Sequence, residues 1–267
     1  MGHRDGIDRL TLIALAVVAY ALANLAHEGA GHGGACLLVG GRPLALSAIH
    51  VDADEAALGV AARKWIAAGG TLANLLLGGV ALAVMRARRP SPGRYFLWLL
   101  ATVNLLQAAG YWLFSGIGRV GDWATVIDGL SPAAGWRAGL ALVGGVAYAG
   151  AVLVSLRELR PLLGDDEDRM TRAVALTVVP YVAGGILYVA AGLLNPEGWR
   201  LVLISAAAAS LGGTSALAWM AQLLRNEARF PPAAGPPLHL PRSAAWLAAG
   251  VVTALLFVAG LGPGVRF

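Results

Sequence analysis

The sequence predicts an all-α polytopic membrane protein of about seven transmembrane helices, and three observations carry that prediction. Of its 267 residues, 58% are hydrophobic and only 13% are charged, against about 25% charged in an average soluble domain. The apolar residues collect into charge-free windows close to the length that crosses a hydrocarbon core of about 30 Å as a helix. The nineteen arginines and the single lysine, Lys64, all fall outside those windows. A disordered chain and an ordinary cytosolic enzyme are excluded, and the single cysteine, Cys36, excludes a disulfide scaffold. The net charge of +5 comes with no basic tract interleaved with aromatics, so no nucleic-acid partner is expected. The expected partner of most of the surface is the lipid bilayer, in a multi-pass arrangement, with a bacterial cell membrane as the expected location.

The windows run 10–26, 65–85, 95–118, 138–156, 173–196, 201–224 and 243–265. Residues 29–41 are also uncharged, so the first apolar segment continues past Glu28. Arg4 and Arg9 precede it and Ala21-Leu22-Ala23 resembles a signal-peptide cleavage site, but the stretch exceeds a usual h-region and is read as a retained helix. The Gly40-Gly41 turn precedes Pro43–Val51, read as a short strand in the first loop. Pro180 should kink the fifth window. Asp165–Asp168 reads as a solvated acidic loop, and Pro231, Pro232, Pro236, Pro237 and Pro241 as a stiff extended linker before the last helix. Six helices are the alternative count. With seven and a cytoplasmic N-terminus, thirteen basic residues lie inside and seven outside, which favours that orientation under the positive-inside rule.

Chemistry concentrates in His27-Glu28-Gly29-Ala30-Gly31-His32. Ionisable residues at membrane depth are expensive and default to a functional reading. Two imidazoles beside a carboxylate make a zinc site with Glu28 as base for an activated water. The common helical form, His-Glu-x-x-His, sets both histidines on one face. Here the spacing is one residue longer. On a regular helix five residues turn about 500°, so the rings would diverge by about 140°. A π-bulge would bring them together, and Gly29 and Gly31 make that distortion cheap. Two interfacial histidines solvating a helix end are the plain alternative. A zinc site needs a third protein ligand. Asp122 is the first choice, in a stretch loosened by Gly116, Gly118 and Gly121, and Asp128 the second. Capping a helix that starts at Trp123 is the alternative role for Asp122.

The His-Glu-x-x-Gly-His spacing resembles the zinc motif of the dipeptidyl peptidase III family, a precedent for the spacing alone. Over residues 7–130 the chain resembles the site-2 protease family of intramembrane zinc metalloproteases. Its three motifs occur in order: the His-Glu helix, a Gly-Pro-x-x-Asn segment met here as Gly70-Thr71-Leu72-Ala73-Asn74, and an Asp met here as Asp122. The departures are the longer His spacing, Thr71 in place of proline, and Trp123 where glycine usually follows the Asp. The resemblance implies that His27, His32 and Asp122 hold Zn²⁺, that Glu28 is the general base, and that Asn74 contacts substrate, an interhelical hydrogen bond being the alternative for Asn74. It implies a catalytic core of three helices in residues 1–130, accessory helices of unassigned role in 131–267, and a transmembrane protein as substrate. The altered His spacing keeps a second reading open, a catalytically inactive relative that binds or scaffolds membrane partners. A transporter ranks last, because the later helices carry few polar groups. Oligomeric state is not legible.

Overall fold

The computed structural model describes residues 6–196 and 211–267. Helix α1 spans Arg9–Leu38, α2 Val60–Arg86, α3 Pro92–Gly118, α5 Ala133–Leu162 and α6 Arg169–Leu193. These are the five helices long and apolar enough, among the described residues, to cross a membrane. Between them lie β1 (Arg42–Leu46), β2 (Val51–Asp54) and the short α4 (Asp122–Ile127). After α6 come α7 (Ala216–Leu223), α8 (Ala244–Gly260) and β3 (Val265–Arg266).

Five spans stand against the seven expected. The sixth window, 201–224, falls in part on residues outside those described, and its described remainder supplies only the eight residues of α7. The seventh is apolar but short, because α8 passes into π turns at Leu256–Gly260 and ends before Gly262 and Pro263. The strand read over 43–51 is a hairpin instead. Its chain reverses at Ser47–His50, where the Ser47 N–H and hydroxyl both donate to the His50 carbonyl, at 2.8 and 2.9 Å. The sheet has the order β2-β1-β3, all antiparallel, so the C-terminal strand closes the outer side of β1 and β2 is an edge.

The helix starts obey local chemistry. Asp8 caps α1 by accepting from Thr11 N at 2.9 Å, Ser91 caps α3 with Pro92 at its first turn, and Ser243 caps α8. One hydrophobic core runs through both portions of the chain, with α3 the most enclosed span. Buried aromatic side chains place their polar ends on carbonyls of neighbouring helices: Trp98 on Ser155 O (2.9 Å), Tyr95 on Leu176 O (2.8 Å) and Tyr188 on Tyr20 O (2.7 Å). In lipid there is no hydrophobic force between helices, so such bonds and close backbone packing hold the bundle.

The two ends of the bundle differ. At one end sit Asp8 with Arg242, the Arg86 and Arg94 pairs with Glu158, and the buried Arg169 and Arg172. The proline-rich stretch runs extended there, pinned by Leu238 N to Leu162 O and Leu240 N to Gly6 O. Asp166, from the acidic loop, pairs with Arg172. At the other end lie the sheet and α4.

Candidate metal centre

The histidines sit on a helix of altered pitch. Residues Ala26–Gly33 are π-helical, and Gly34 N–H donates to Gly29 O, five residues back. One π turn separates His27 from His32, so the rings that would diverge on a regular helix converge. Their Nε2 atoms are 3.2 Å apart, with ring planes at 84°.

Helix α2 crosses this segment with backbone against backbone. A Cβ on Gly31 would lie 2.5 Å from Gly70 Cα, and one on Gly70 would lie 2.6 Å from Nε2 of both histidines. Only glycine fits at these two positions, and their approach puts the imidazoles against α2.

Asp122 arrives from a distant part of the chain. After α3 the backbone bends through Arg119 and Gly121, both at positive φ (60° and 85°), and α4 begins. Gly121 is the N-cap and Asp122 the first helical residue, so the carboxylate is not spent on capping. Its Oδ2 lies 3.2 Å from His27 Nε2 and 3.4 Å from His32 Nε2. Asp128 stands past the end of α4, where its backbone carbonyl accepts from Lys64 Nζ at 2.5 Å.

The donor set fits a metal ion. The ligand atoms of His27, His32 and Asp122 all lie within 4.8 Å of one another. His32 Nδ1 is 2.8 Å from Ile66 O. A carbonyl only accepts, so Nδ1 carries a proton and in the neutral ring the Nε2 lone pair faces the group, the usual way an outer partner orients a ligating histidine. Among the described residues no hydrogen-bond donor satisfies the buried Asp122 Oδ2, and a cation would satisfy it together with the two nitrogens. The group can therefore hold a metal ion.

Glu28 is buried beside it and lines, with His32 and Asp122, a cavity of about 280 Å³. Val51 and Ala53 of the edge strand β2 form part of the same wall. Asn74 stands one turn beyond Gly70 on α2, fully buried, with Nδ2 donating to Gln107 Oε1 at 3.0 Å. It does not line the cavity.

The sequence reading missed Tyr111, Thr71, Trp123 and the Ile66 carbonyl. Tyr111 stacks on His27 at 4.6 Å between centroids and lines the cavity. A signal existed, since Tyr111 follows Gln107 by four residues and so shares its side of α3. Trp123 Nε1 donates to Thr71 Oγ1 at 2.9 Å. No family model matches the chain, and comparison with curated proteins and with solved structures gives no significant match.

Proposed function

We propose that this chain is an intramembrane zinc metalloendopeptidase of the site-2 protease type, acting on peptide bonds in or near transmembrane segments. The observation that carries the reading is the convergence of His27 Nε2, His32 Nε2 and Asp122 Oδ2 beside the buried carboxyl of Glu28. Two imidazoles and one carboxylate are a zinc donor set that leaves a position open. Zinc would supply Lewis-acid activation of the scissile carbonyl and of water. Glu28 would take the proton of the attacking water and return it to the leaving amine.

Substrate must enter extended, because a helix hides its peptide bonds. The edge of β2 that is unpaired among the described residues, with Val51 and Ala53 on the cavity wall, offers main-chain donors and acceptors to such a strand. Asn74 would reach substrate only after Gln107 releases its amide. The concentration of arginines at the bundle end opposite the metal group supports a cytoplasmic N-terminus and a site toward the outer face.

The test is metal content of the purified full chain in detergent, followed by cleavage of quenched-fluorescent transmembrane peptides with and without chelator. Stoichiometric zinc and chelator-sensitive cleavage would support the proposal. A chain that binds zinc and cleaves nothing across a broad peptide panel would be read as the inactive, partner-binding relative. A chain that binds no metal would sink the proposal.

A further inference from the structure

We propose that the hydrogen bond from Trp123 to Thr71 is the clamp that places Asp122 in the metal group, so that Thr71 and Trp123 are positioning residues for the metal. The inference rests on the metal-site reading above and concerns residues that never touch the metal.

Helix α4 cannot place Asp122 by itself. It has six residues, and no residue of it is buried. Isolated helices below roughly 12 residues are marginal in water. It also follows a link, Arg119 to Gly121, that is bent twice by positive φ. A metal ligand nevertheless has to be held within about 0.5 Å of its working position. Something outside α4 must supply that restraint.

Helix α2 supplies it at two points. Near the start of α4, Trp123 Nε1 donates to Thr71 Oγ1 at 2.9 Å, and Thr71 is fully buried. Just past its end, Lys64 Nζ donates to Asp128 O at 2.5 Å. Lys64 and Thr71 are seven residues apart, about two turns, and so share one side of α2. The Trp123 ring is also seated edge-on against Trp112 of α3, at 5.7 Å and 80°. The indole is thus fixed by packing, and its N–H selects the register.

The clamp joins the two halves of the donor set. Gly70 lies against the imidazoles of His27 and His32, and the next residue, Thr71, holds the residue that follows Asp122. One dipeptide of α2 registers both ligand-bearing segments. The bond made by half-buried Lys64 is open to solvent and competes with water, whereas the Thr71 bond is partly buried and has fewer alternatives. The restraint that matters for Asp122 is therefore the one at Thr71.

The experiment is zinc and cobalt titration of the full chain in detergent, with the cobalt absorption band reporting ligand geometry, on Trp123→Phe, Thr71→Val, their double variant, Thr71→Ser and Lys64→Met. Trp123→Phe and Thr71→Val should each weaken metal binding about tenfold, as expected for loss of one partly buried hydrogen bond. The double variant should be no weaker than the worse single variant, because both remove the same bond. Thr71→Ser keeps the acceptor and should bind like the parent, and Lys64→Met should stay within about twofold. The thermal midpoint of each metal-free variant, measured alongside, identifies any that fails to fold, and Thr71→Ser then decides by its retained affinity and band. Wild-type affinity in both Trp123→Phe and Thr71→Val, or additive losses in the double variant, overturns the clamp while leaving the metal site standing. A parent chain that binds no metal overturns both. A parent that binds metal without cleaving peptides, with the variants weakened as described, supports the clamp and removes only the peptidase reading.

Discussion

Gly70 is packed so closely on His27 that a single added carbon at Cα would lie 2.6 Å from the imidazole Nε2 and Cε1. A pair of histidines held by helix backbone, with no intervening side chain, leaves little tolerance at that position.

Gly70→Ala should accordingly displace both imidazoles and lower metal occupancy sharply, by metal analysis of the purified chain. Gly79→Ala, on the same helix with nothing within 4 Å of its added Cβ, should bind metal as the parent does. Helix propensity favours alanine at both positions by about 1 kcal/mol, so a loss at Gly70 alone isolates the contact with the histidines. Equal occupancy in the two variants would contradict it.

Asp122→Ala should reduce zinc occupancy strongly, and Asp128→Ala should not. The first removes the oxygen that lies 3.2 and 3.4 Å from the two Nε2 atoms. The second removes a side chain whose backbone, not its carboxylate, makes the contact with Lys64. Occupancy that tracks Asp128 instead would mean that the third ligand has been misassigned.

Glu28→Gln should keep zinc bound and abolish cleavage. The amide preserves the size of a side chain that lies outside the His-His-Asp set but cannot accept a proton near neutral pH. General base catalysis contributes about 10²–10⁴-fold, so the difference should be plain in any assay that detects the parent. Surviving cleavage would remove Glu28 from the proposed chemistry.

Reporter fusions at Pro90 and Leu130 should fall on opposite sides of the membrane, Pro90 inside. Pro90 lies in the arginine-bearing connection between α2 and α3, and Leu130 lies beyond α4 at the end that carries the metal group. An inverted pair would reverse the proposed orientation.

Asp8 should give an acid-sensitive contribution to stability. The Thr11 backbone N–H, against a modest burial cost and with help from the Thr11 hydroxyl and Arg242, holds its carboxyl below the ordinary value. A lowered folded value means that the contribution is present above the unfolded pKa of about 3.9 and is lost as pH falls through the folded value. Asp8→Ala should cost about 1 kcal/mol near neutral pH, the usual value of an N-cap. The gap to the parent in thermal midpoint should close on acidification below the unfolded pKa, and a gap that widens would refute the assignment.

Much of this protein is decided locally, and that part was legible. The hydropathy of five long helices and the extended proline-rich stretch follow from residues close in sequence. So does the meeting of His27 with His32, because one π turn is a property of a short, glycine-containing segment. What only the tertiary structure decided is whatever joins distant stretches. The reversal of β1 into β2 and the addition of β3 from the C-terminus depend on which edges are left open. Asp122 reaches His27 across 95 residues only because Gly31, Gly69 and Gly70 let two helices touch and α4 is tied to α2. Thr71 and Trp123, read in the sequence as departures from a motif, prove to be each other's partners. A periodicity or a motif reports one element at a time, whereas a hydrogen bond between two of them exists only once packing has set their register.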